Sequence, residues 1–177
     1  VVTATKSLFN AFAHEPDIAH IFRQSSSALK RMNLRGMFMA MTMLKINNNR
    51  VMVGLAGMPP VLLYRAATGA VEEIVIKAMP LGSPLSAPYQ QQESELAAGD
   101  CVVLMSDGFP ERFNEGGEMI GYECAKLMLE QIAGESPQEI VNRFVQAGDS
   151  WAGARAQDDD VTFVVLKING GDTIKTT

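Results

Sequence analysis

The sequence predicts an α+β fold in which antiparallel sheets are covered by helices. Helical patterns come first, a meander of strand patterns follows, and two more helices precede a last strand. Short turns rich in glycine, asparagine and proline separate the strands. At 177 residues, with 47% hydrophobic and 20% charged residues, the chain can bury one substantial core.

The first two elements are predicted helices. Leu8, Phe9 and Phe12 lie at helical spacing within residues 3–13. Pro16 and Asp17 then open a second helix. Its apolar residues form one stripe that consists of Ile18, Ile21, Phe22, Leu29 and Met32.

The strand meander begins after Gly36. Residues 37–46 have no polar face, so we expect a strand that is buried, or nearly buried, on both sides. Its methionines are expected to fill an irregular core. Asn47, Asn48 and Asn49 predict a turn. The strands predicted after this turn are 51–56, Val61–Arg65, 71–76 and the weakly patterned 89–96.

The second half of the chain is predicted as strand, helix, helix, strand. Cys101–Met105 is a short apolar strand and residues 122–133 form a helix. Ser136, Pro137 and Glu139 form a capping signal for the next helix. The final strand spans 161–168. We therefore expect one domain over residues 1–168, followed by a polar tail over 169–177.

Composition excludes several classes of function. The net charge is −5 and no basic stripe is long enough to follow a nucleic-acid backbone, so nucleic acid is not expected as a partner. Cys101 and Cys124 do not make a disulfide framework. Neither is followed six residues later by an arginine, which argues against a thiolate nucleophile that cradles phosphate.

The apolar runs do not predict membrane insertion. The longest one, Cys101–Met105, is far too short to span a bilayer, and the N-terminus lacks the layout of a signal peptide. We expect a cytoplasmic location with no direct membrane insertion.

Two acidic turns carry the chemistry. Asp107 follows the strand Cys101–Met105, with Glu111 just beyond, and Asp158, Asp159 and Asp160 precede the last strand. If these two strands are antiparallel neighbours, both sets of carboxylates arrive at the same sheet edge. Converging carboxylates repel each other unless a cation lies between them, and hard divalent cations prefer oxygen ligands. The pattern therefore favours a metal-assisted reaction.

These motifs occur in an order that resembles a known family. The matching stretches are Gly99-Asp100, Ser106-Asp107-Gly108-Phe109, Glu111 and Asp159-Asp160-Val161-Thr162. Together they resemble the metal-dependent protein phosphatases (PPM), and most closely the bacterial branch that includes SpoIIE and RsbU. The similarity runs over residues 2–168 and includes Ala56-Gly57-Met58-Pro59-Pro60 and Leu81-Gly82-Ser83-Pro84-Leu85.

The resemblance implies an α-β-β-α sandwich, in which two antiparallel sheets face each other and helices flank them. It also implies hydrolysis of phosphoserine or phosphothreonine on a protein with two Mn²⁺ or Mg²⁺ ions. By position, Asp107 and Asp159 would be the catalytic metal ligands. Gly108, Glu111 and Asp160 would support them. The implied substrate is a phosphorylated bacterial signalling protein such as an anti-sigma-factor antagonist, and a sensor or regulatory domain is expected upstream.

The sequence departs from the family pattern in two ways. The family places an earlier acidic turn before the first long helix, and residues 1–177 do not contain it. Leu55-Ala56-Gly57-Met58 stands where the family carries Asn-Ala-Gly-His. We therefore expect this chain to be the larger C-terminal part of a catalytic domain, with weak Mn²⁺ binding and little turnover by itself.

Three alternatives remain open. Asp158-Asp159-Asp160-Val161-Thr162 also fits the nucleophile loop of haloacid-dehalogenase-like phosphatases, although residues 151–157 before it do not look like a strand. A phosphoryl-receiver domain would need an early acidic pair and alternating strands and helices. A degenerate domain that binds a phosphoprotein or regulator without hydrolysing it would be consistent with Met58.

The choice of metal ligand among the three consecutive aspartates 158–160 is also open. Asp159 is preferred because it matches the Asp-Asp-Val-Thr pattern, and Asp158 is the alternative.

Overall fold

The computed structural model describes residues 1–34, 36–85 and 88–170. Of the tail predicted for 169–177, residues 171–177 lie outside the described part of the chain. The elements in chain order are helices α1 (Val2–Phe12) and α2 (Ile18–Arg31), strands β1 (Met41–Asn47), β2 (Arg50–Ala56), β3 (Val61–Arg65), β4 (Ala70–Ile74), β5 (Gln91–Glu95) and β6 (Cys101–Met105), helices α3 (Tyr122–Ile132) and α4 (Pro137–Ala152), and strand β7 (Phe163–Lys167).

These elements form two compact units, each with its own antiparallel sheet. The first unit consists of Val1–Pro60 and Val75–Glu95, and its sheet has the strand order β1-β2-β5. The second consists of Val61–Ile74 and the chain from Leu96 onward, and its sheet has the order β4-β3-β6-β7. The predicted α+β class, with antiparallel sheets and flanking helices, is confirmed.

In the first unit, α2 packs closely on β2. The helix begins as predicted after Asp17, whose side chain accepts a hydrogen bond from the His20 amide at 2.8 Å. Ile18 and Phe22 are fully buried, and Ile18 lies so close to Gly54 of β2 that a β-carbon there would overlap it. Glycine at position 54 therefore sets the distance between helix and sheet.

The prediction of a buried strand over 37–46 is wrong in its extent and burial. Strand β1 begins only at Met41, and Met43 is its one buried residue. Met37 and Phe38 are about half exposed. Within the described residues β1 pairs with β2 alone, so it is an edge strand and has fewer neighbours to cover it. Its methionines nevertheless contribute to the core of this unit, as expected.

In the second unit, α3 and α4 cover one face of the sheet. Three aromatic rings, Phe109, Phe144 and Phe163, lie within 5.1–5.3 Å of one another by centroid distance. Helix α4 begins as predicted, with the Ser136 hydroxyl accepting from the Glu139 amide at 3.3 Å and Pro137 in the first turn. The rest of the buried core of this unit comprises Leu62, Val71, Cys101, Val103, Met105, Ala125, Leu129, Ala133 and Ile140.

Strands β6 and β7 are antiparallel neighbours. Cys101 pairs with Lys167, and Met105 pairs with Phe163 at the other end. This is the arrangement under which the two acidic turns were expected to meet, because the turn after β6 and the turn before β7 then lie at one edge. Among the described residues, none of the four helices has both the length and the hydrophobicity that a membrane-spanning segment requires.

The start of β6 is fixed by a buried carboxylate. Asp100 is only 1% exposed. Its oxygens accept from the Arg65 guanidinium at 3.1 Å and from the amides of Ala66 and Ala97, each at 3.0 Å. Glu72 is the second partner of Arg65, at 2.9 Å, but its side chain is 57% exposed. Asp100 and Glu72 thus pair with the same guanidinium, but Asp100 is buried and Glu72 is exposed.

Asp100→Ala should destabilise the protein by about 3–5 kcal/mol, because it leaves a guanidinium and two amides without their buried acceptor. Glu72→Ala should cost at most about 1 kcal/mol, since it breaks an exposed ion pair. Urea unfolding followed by circular dichroism measures both. Equal losses in the two variants would contradict the structural role assigned to Asp100.

Candidate active site

The two acidic turns are joined by hydrogen bonds at Ser106. This residue follows β6, and its amide donates to the Thr162 carbonyl at 3.0 Å. Its hydroxyl donates to the Asp160 carbonyl at 2.9 Å and accepts from the Thr162 amide at 2.9 Å. The pairing of β6 and β7 therefore continues beyond the strand ends into the turns that carry the aspartates.

Gly108 brings the turns into direct contact. A β-carbon at this position would overlap the Asp160 carbonyl oxygen and would lie 3.0 Å from the Asp160 carbonyl carbon and 3.3 Å from the Asp159 carbonyl oxygen. All three of these atoms are backbone, which cannot move aside as a flexible side chain can. The backbone of the first turn thus lies against the backbone carbonyls of Asp159 and Asp160, and closest to that of Asp160.

Three aspartates of these turns differ in the partners of their carboxylates. Asp107 is exposed, and within residues 1–34, 36–85 and 88–170 its carboxylate has no hydrogen bond or ion pair. One Asp159 oxygen accepts from the Asp160 amide at 2.7 Å. Asp158 is held by the Arg155 guanidinium at 3.1 and 3.2 Å. Asp107 thus has both carboxylate oxygens without a partner among the described residues, while Asp159 and Asp158 each engage one oxygen, Asp159 with an amide and Asp158 with a guanidinium.

The donor set suits a hard divalent cation that keeps part of its water shell. Mg²⁺-like ions are typically held by one or two carboxylates together with waters and substrate phosphate. The described residues bring together no group of three or more histidine, cysteine, aspartate or glutamate side chains able to hold a metal ion. Asp107 and Asp159 thus fit as contributors to a metal centre and not as a complete set of ligands.

Glu111 is attached to the first acidic turn. Its amide donates to the Asp107 carbonyl at 2.9 Å, and its carboxylate accepts from the Tyr122 hydroxyl at 3.4 Å. Burial raises the pKa of Tyr122, and the negative charges of Glu111 and Asp107 raise it further. The phenol therefore stays protonated and can keep donating to Glu111. Sequence reasoning assigned Glu111 a supporting role but did not identify Tyr122.

Cys101 is not placed to act as a nucleophile. Cys101 is fully buried in β6, and burial raises the pKa of its thiol to about 11, although Lys167 acts in the opposite direction. The thiol is thus neutral near pH 7 and unsuited to nucleophilic attack. For Cys101 this agrees with the argument made from the sequence, whereas Cys124 is exposed on α3.

Two arginines near the turns carried no sequence signal. Arg112 is 12% exposed and bonds Asp149 of α4 at 3.0 Å, in space left by Gly148. Its Nε atom is buried and has no hydrogen-bond partner in the described part of the chain. Arg155 bonds Asp158 and lies over the Phe113 ring. Both act through tertiary contacts, which residue spacing does not encode.

The topology disfavours the two rival phosphotransfer folds. The dehalogenase-like loop requires a strand immediately before the aspartates, but residues 151–157 contain the end of α4 and no strand. A receiver domain has a parallel sheet, whereas every strand pair in the described residues is antiparallel.

Gly108→Ala should displace the backbone carbonyls of Asp159 and Asp160 and lower the thermal midpoint, because the added methyl group meets these backbone atoms. Gly134→Ala is the matched control, since a β-carbon there has no atom within 4 Å. The amide shifts of residues 158–162 in a ¹⁵N spectrum report the displacement. Unchanged shifts in Gly108→Ala would contradict the close approach of the turns.

Comparison with known proteins places the chain in a family. A family model described as stage II sporulation protein E (SpoIIE) matches residues 1–169. Phosphoserine phosphatase RsbU of Bacillus subtilis (strain 168) is 31% identical over 116 residues, which make up 63% of this chain and 33% of RsbU. The chain thus spans about a third of the length of this curated relative.

Solved structures share the fold. The SiaA-PP2C domain of Pseudomonas aeruginosa matches with a TM-score of 0.80 at 22% identity, over 94% of this chain and 66% of that one. The phosphatase domain of the cell fate determinant SpoIIE from Bacillus subtilis matches with a TM-score of 0.66 at 17% identity, over 96% of this chain and 74% of that one. The resemblance found in the motifs is confirmed, and this chain belongs to the SpoIIE family, whose fold is that of the PP2C-type phosphatase domains.

Proposed function

We propose that the full-length protein is a Mn²⁺- or Mg²⁺-dependent serine/threonine protein phosphatase. Residues 1–168 would form the larger part of its catalytic domain, with 169–177 as a tail. The observation that carries this proposal is the contact between the two acidic turns, made by Ser106 and Gly108 against Asp160 and Thr162. Membership of the SpoIIE family and the 31% identity to a phosphoserine phosphatase support it.

Asp107 and Asp159 are the proposed metal ligands, and further ligands would come from parts of the full-length protein outside these 177 residues. Two divalent cations bound there would activate the attacking water and neutralise charge on the phosphoryl group. A structure of the SpoIIE phosphatase domain from Bacillus subtilis was obtained from a Mn-presoaked form, which makes Mn²⁺ the first ion to test.

The chain's own residues position these ligands. The Asp160 amide fixes one oxygen of Asp159 and leaves the other free. The Ser106 hydroxyl anchors the Asp160 carbonyl, and Gly108 lets the two turns touch. Glu111 supports the Asp107 turn through its amide, and Tyr122 restrains the Glu111 side chain. Asp160 would hold ordered water at the rim of the site with its exposed carboxylate.

The proposed substrate is a phosphoserine- or phosphothreonine-containing signalling protein in the bacterial cytoplasm. The relative RsbU is a phosphoserine phosphatase, which favours phosphoserine over phosphothreonine. An anti-sigma-factor antagonist is the kind of protein that the resemblance implies. Because the chain spans only 33% of RsbU, an upstream regulatory domain belongs to the same proposal.

A non-catalytic role is the second candidate, and Met58 is the observation that favours it. Met58 is half-buried in the loop after β2. It lines a cavity of about 460 Å³ together with Leu55, Pro60 and residues 75–79. A thioether cannot donate a proton to a leaving group. A domain of this kind would bind a phosphoprotein without hydrolysing it.

Asp107→Asn in the full-length protein should reduce Mn²⁺-dependent phosphate release by more than about 100-fold, because the amide is a poor ligand for a hard cation. Glu93→Gln, which removes an exposed carboxylate from β5, is the control and should leave the rate unchanged. An unimpaired Asp107→Asn variant would refute the role of Asp107. A full-length wild type that binds a phosphoprotein without releasing phosphate would favour the non-catalytic candidate.

Residues 1–177 assayed alone should bind Mn²⁺ weakly and release little phosphate, because Asp107 and Asp159 do not complete a ligand set. Isothermal titration with Mn²⁺ and phosphate release, each run beside the full-length protein, measure the difference. Equal rates for the two proteins would show that no ligand outside this chain is needed.

A further inference from the structure

We propose that Arg155 is a substrate-binding residue that holds the phosphoryl group at the edge of the candidate site. This inference rests on the proposed function, and it names the residue that binds the phosphoryl group of the proposed substrate. Arg155 lies in the segment between α4 and β7, and its amide donates to the Ala152 carbonyl at 3.1 Å. Its guanidinium reaches Asp158, the direct neighbour of the proposed ligand Asp159.

A cation is needed there because the site is crowded with negative charge. Asp107, Glu111 and the three aspartates 158–160 all belong to the two turns, and all five residues are exposed. A phosphoryl dianion that approaches this edge meets repulsion wherever a metal ion does not offset it. A guanidinium at the rim lowers that repulsion and offers paired N–H donors that match phosphate oxygens.

The other arginines of the second unit are engaged elsewhere. Arg65 pairs with Asp100 and Glu72 beside the start of β6. Arg112 is nearly buried and tied to Asp149, and Arg143 pairs with Glu135 and Glu139. Arg155 is the arginine of this unit that contacts the acidic triplet.

The contacts of Arg155 leave it free to change partners. Its Nε and NH2 groups both donate to the same Asp158 oxygen, at 3.2 and 3.1 Å, so they do not form the two-oxygen fork of a strong pair. The side chains of Arg155 and Asp158 are 37% and 52% exposed, and an ion pair this open is weak. A phosphate dianion can therefore replace Asp158 at little cost.

Phe113 holds the guanidinium in place during such an exchange. Its ring centroid is 5.0 Å from the central carbon of Arg155, within cation–π distance. An aromatic face restrains the plane of the guanidinium without using its N–H donors. Arg155 is thus both oriented and able to donate.

A purely structural role for Arg155 makes a different prediction. If Arg155 serves only to hold Asp158 and the acidic turn, then Asp158→Asn should mimic Arg155→Gln. If Arg155 binds phosphate, Asp158→Asn should release the guanidinium from its competitor. Phosphate affinity should then rise or stay the same.

The test uses the full-length protein, with the sequence that flanks residues 1–177, in Mn²⁺. Arg155→Gln, Arg155→Lys, Asp158→Asn and the control Arg143→Gln are compared for kcat and KM with p-nitrophenyl phosphate. The inhibition constant of inorganic phosphate is measured in the same assay, and its dissociation constant is measured by calorimetry. Arg143 is a matched control because it is an exposed, ion-paired arginine on α4.

Arg155→Gln should raise KM and both phosphate constants about tenfold, because a charged hydrogen-bonding pair is lost, while kcat changes less than about twofold. Arg155→Lys should recover part of the affinity, and Arg143→Gln should match the wild type. Unchanged phosphate constants in Arg155→Gln, or an Asp158→Asn variant that weakens phosphate equally, would overturn the inference. A wild type without turnover would instead refute the proposed function, and calorimetry would still decide the role of Arg155.

Discussion

The pairing of β6 with β7, continued into the turns by Ser106, is the constraint on which the site depends. Ser106 uses its amide and its hydroxyl to bind the Asp160–Thr162 segment. Since these groups lie directly beside Asp107, any slip in register between the strands would separate the acidic turns. Gly108 adds a contact that no other residue type could make without moving backbone. The site is therefore a consequence of sheet geometry more than of its loops.

The strand pair is secured at both ends and from one face. At the end away from the site, the Asp100 carbonyl accepts from the Ile168 amide at 2.9 Å, and the Asp100 carboxylate is buried against Arg65. On the helix-covered face, Phe163 of β7 packs with Phe109 and Phe144. Exposed carboxylates at the remaining end repel one another. The hydrogen bonds of Ser106 and the close packing at Gly108 hold the two turns together despite this repulsion.

Much of this arrangement could be predicted from the sequence, because local signals and tertiary structure agree. The order of helices and strands, the helix starts at Asp17 and Ser136, and the meeting of two acidic turns all follow from patterns along the chain. The prediction for residues 37–46 was wrong because an apolar run does not reveal whether a strand lies at the edge of a sheet. Met37 and Phe38 are about half exposed, but the same two residues could equally occur in a buried strand, so the sequence does not distinguish the two cases.

The residues that sequence reasoning missed are those that act across the fold. Tyr122, at the start of α3, hydrogen-bonds Glu111, and Arg155, in the segment after α4, lies over the ring of Phe113. These contacts join positions whose separation along the chain follows no fixed spacing. The ion pair between Arg155 and Asp158, which distinguishes Asp158 from Asp159, is likewise visible only in the structure.

The central claim is that Asp107 and Asp159 share bound divalent ions at one sheet edge. Anomalous diffraction from Mn²⁺-soaked crystals of the full-length protein tests it most directly. The account predicts manganese peaks with an oxygen of each carboxylate within about 2.0–2.6 Å of a metal ion. Manganese bound elsewhere, with both carboxylates unligated, would contradict it.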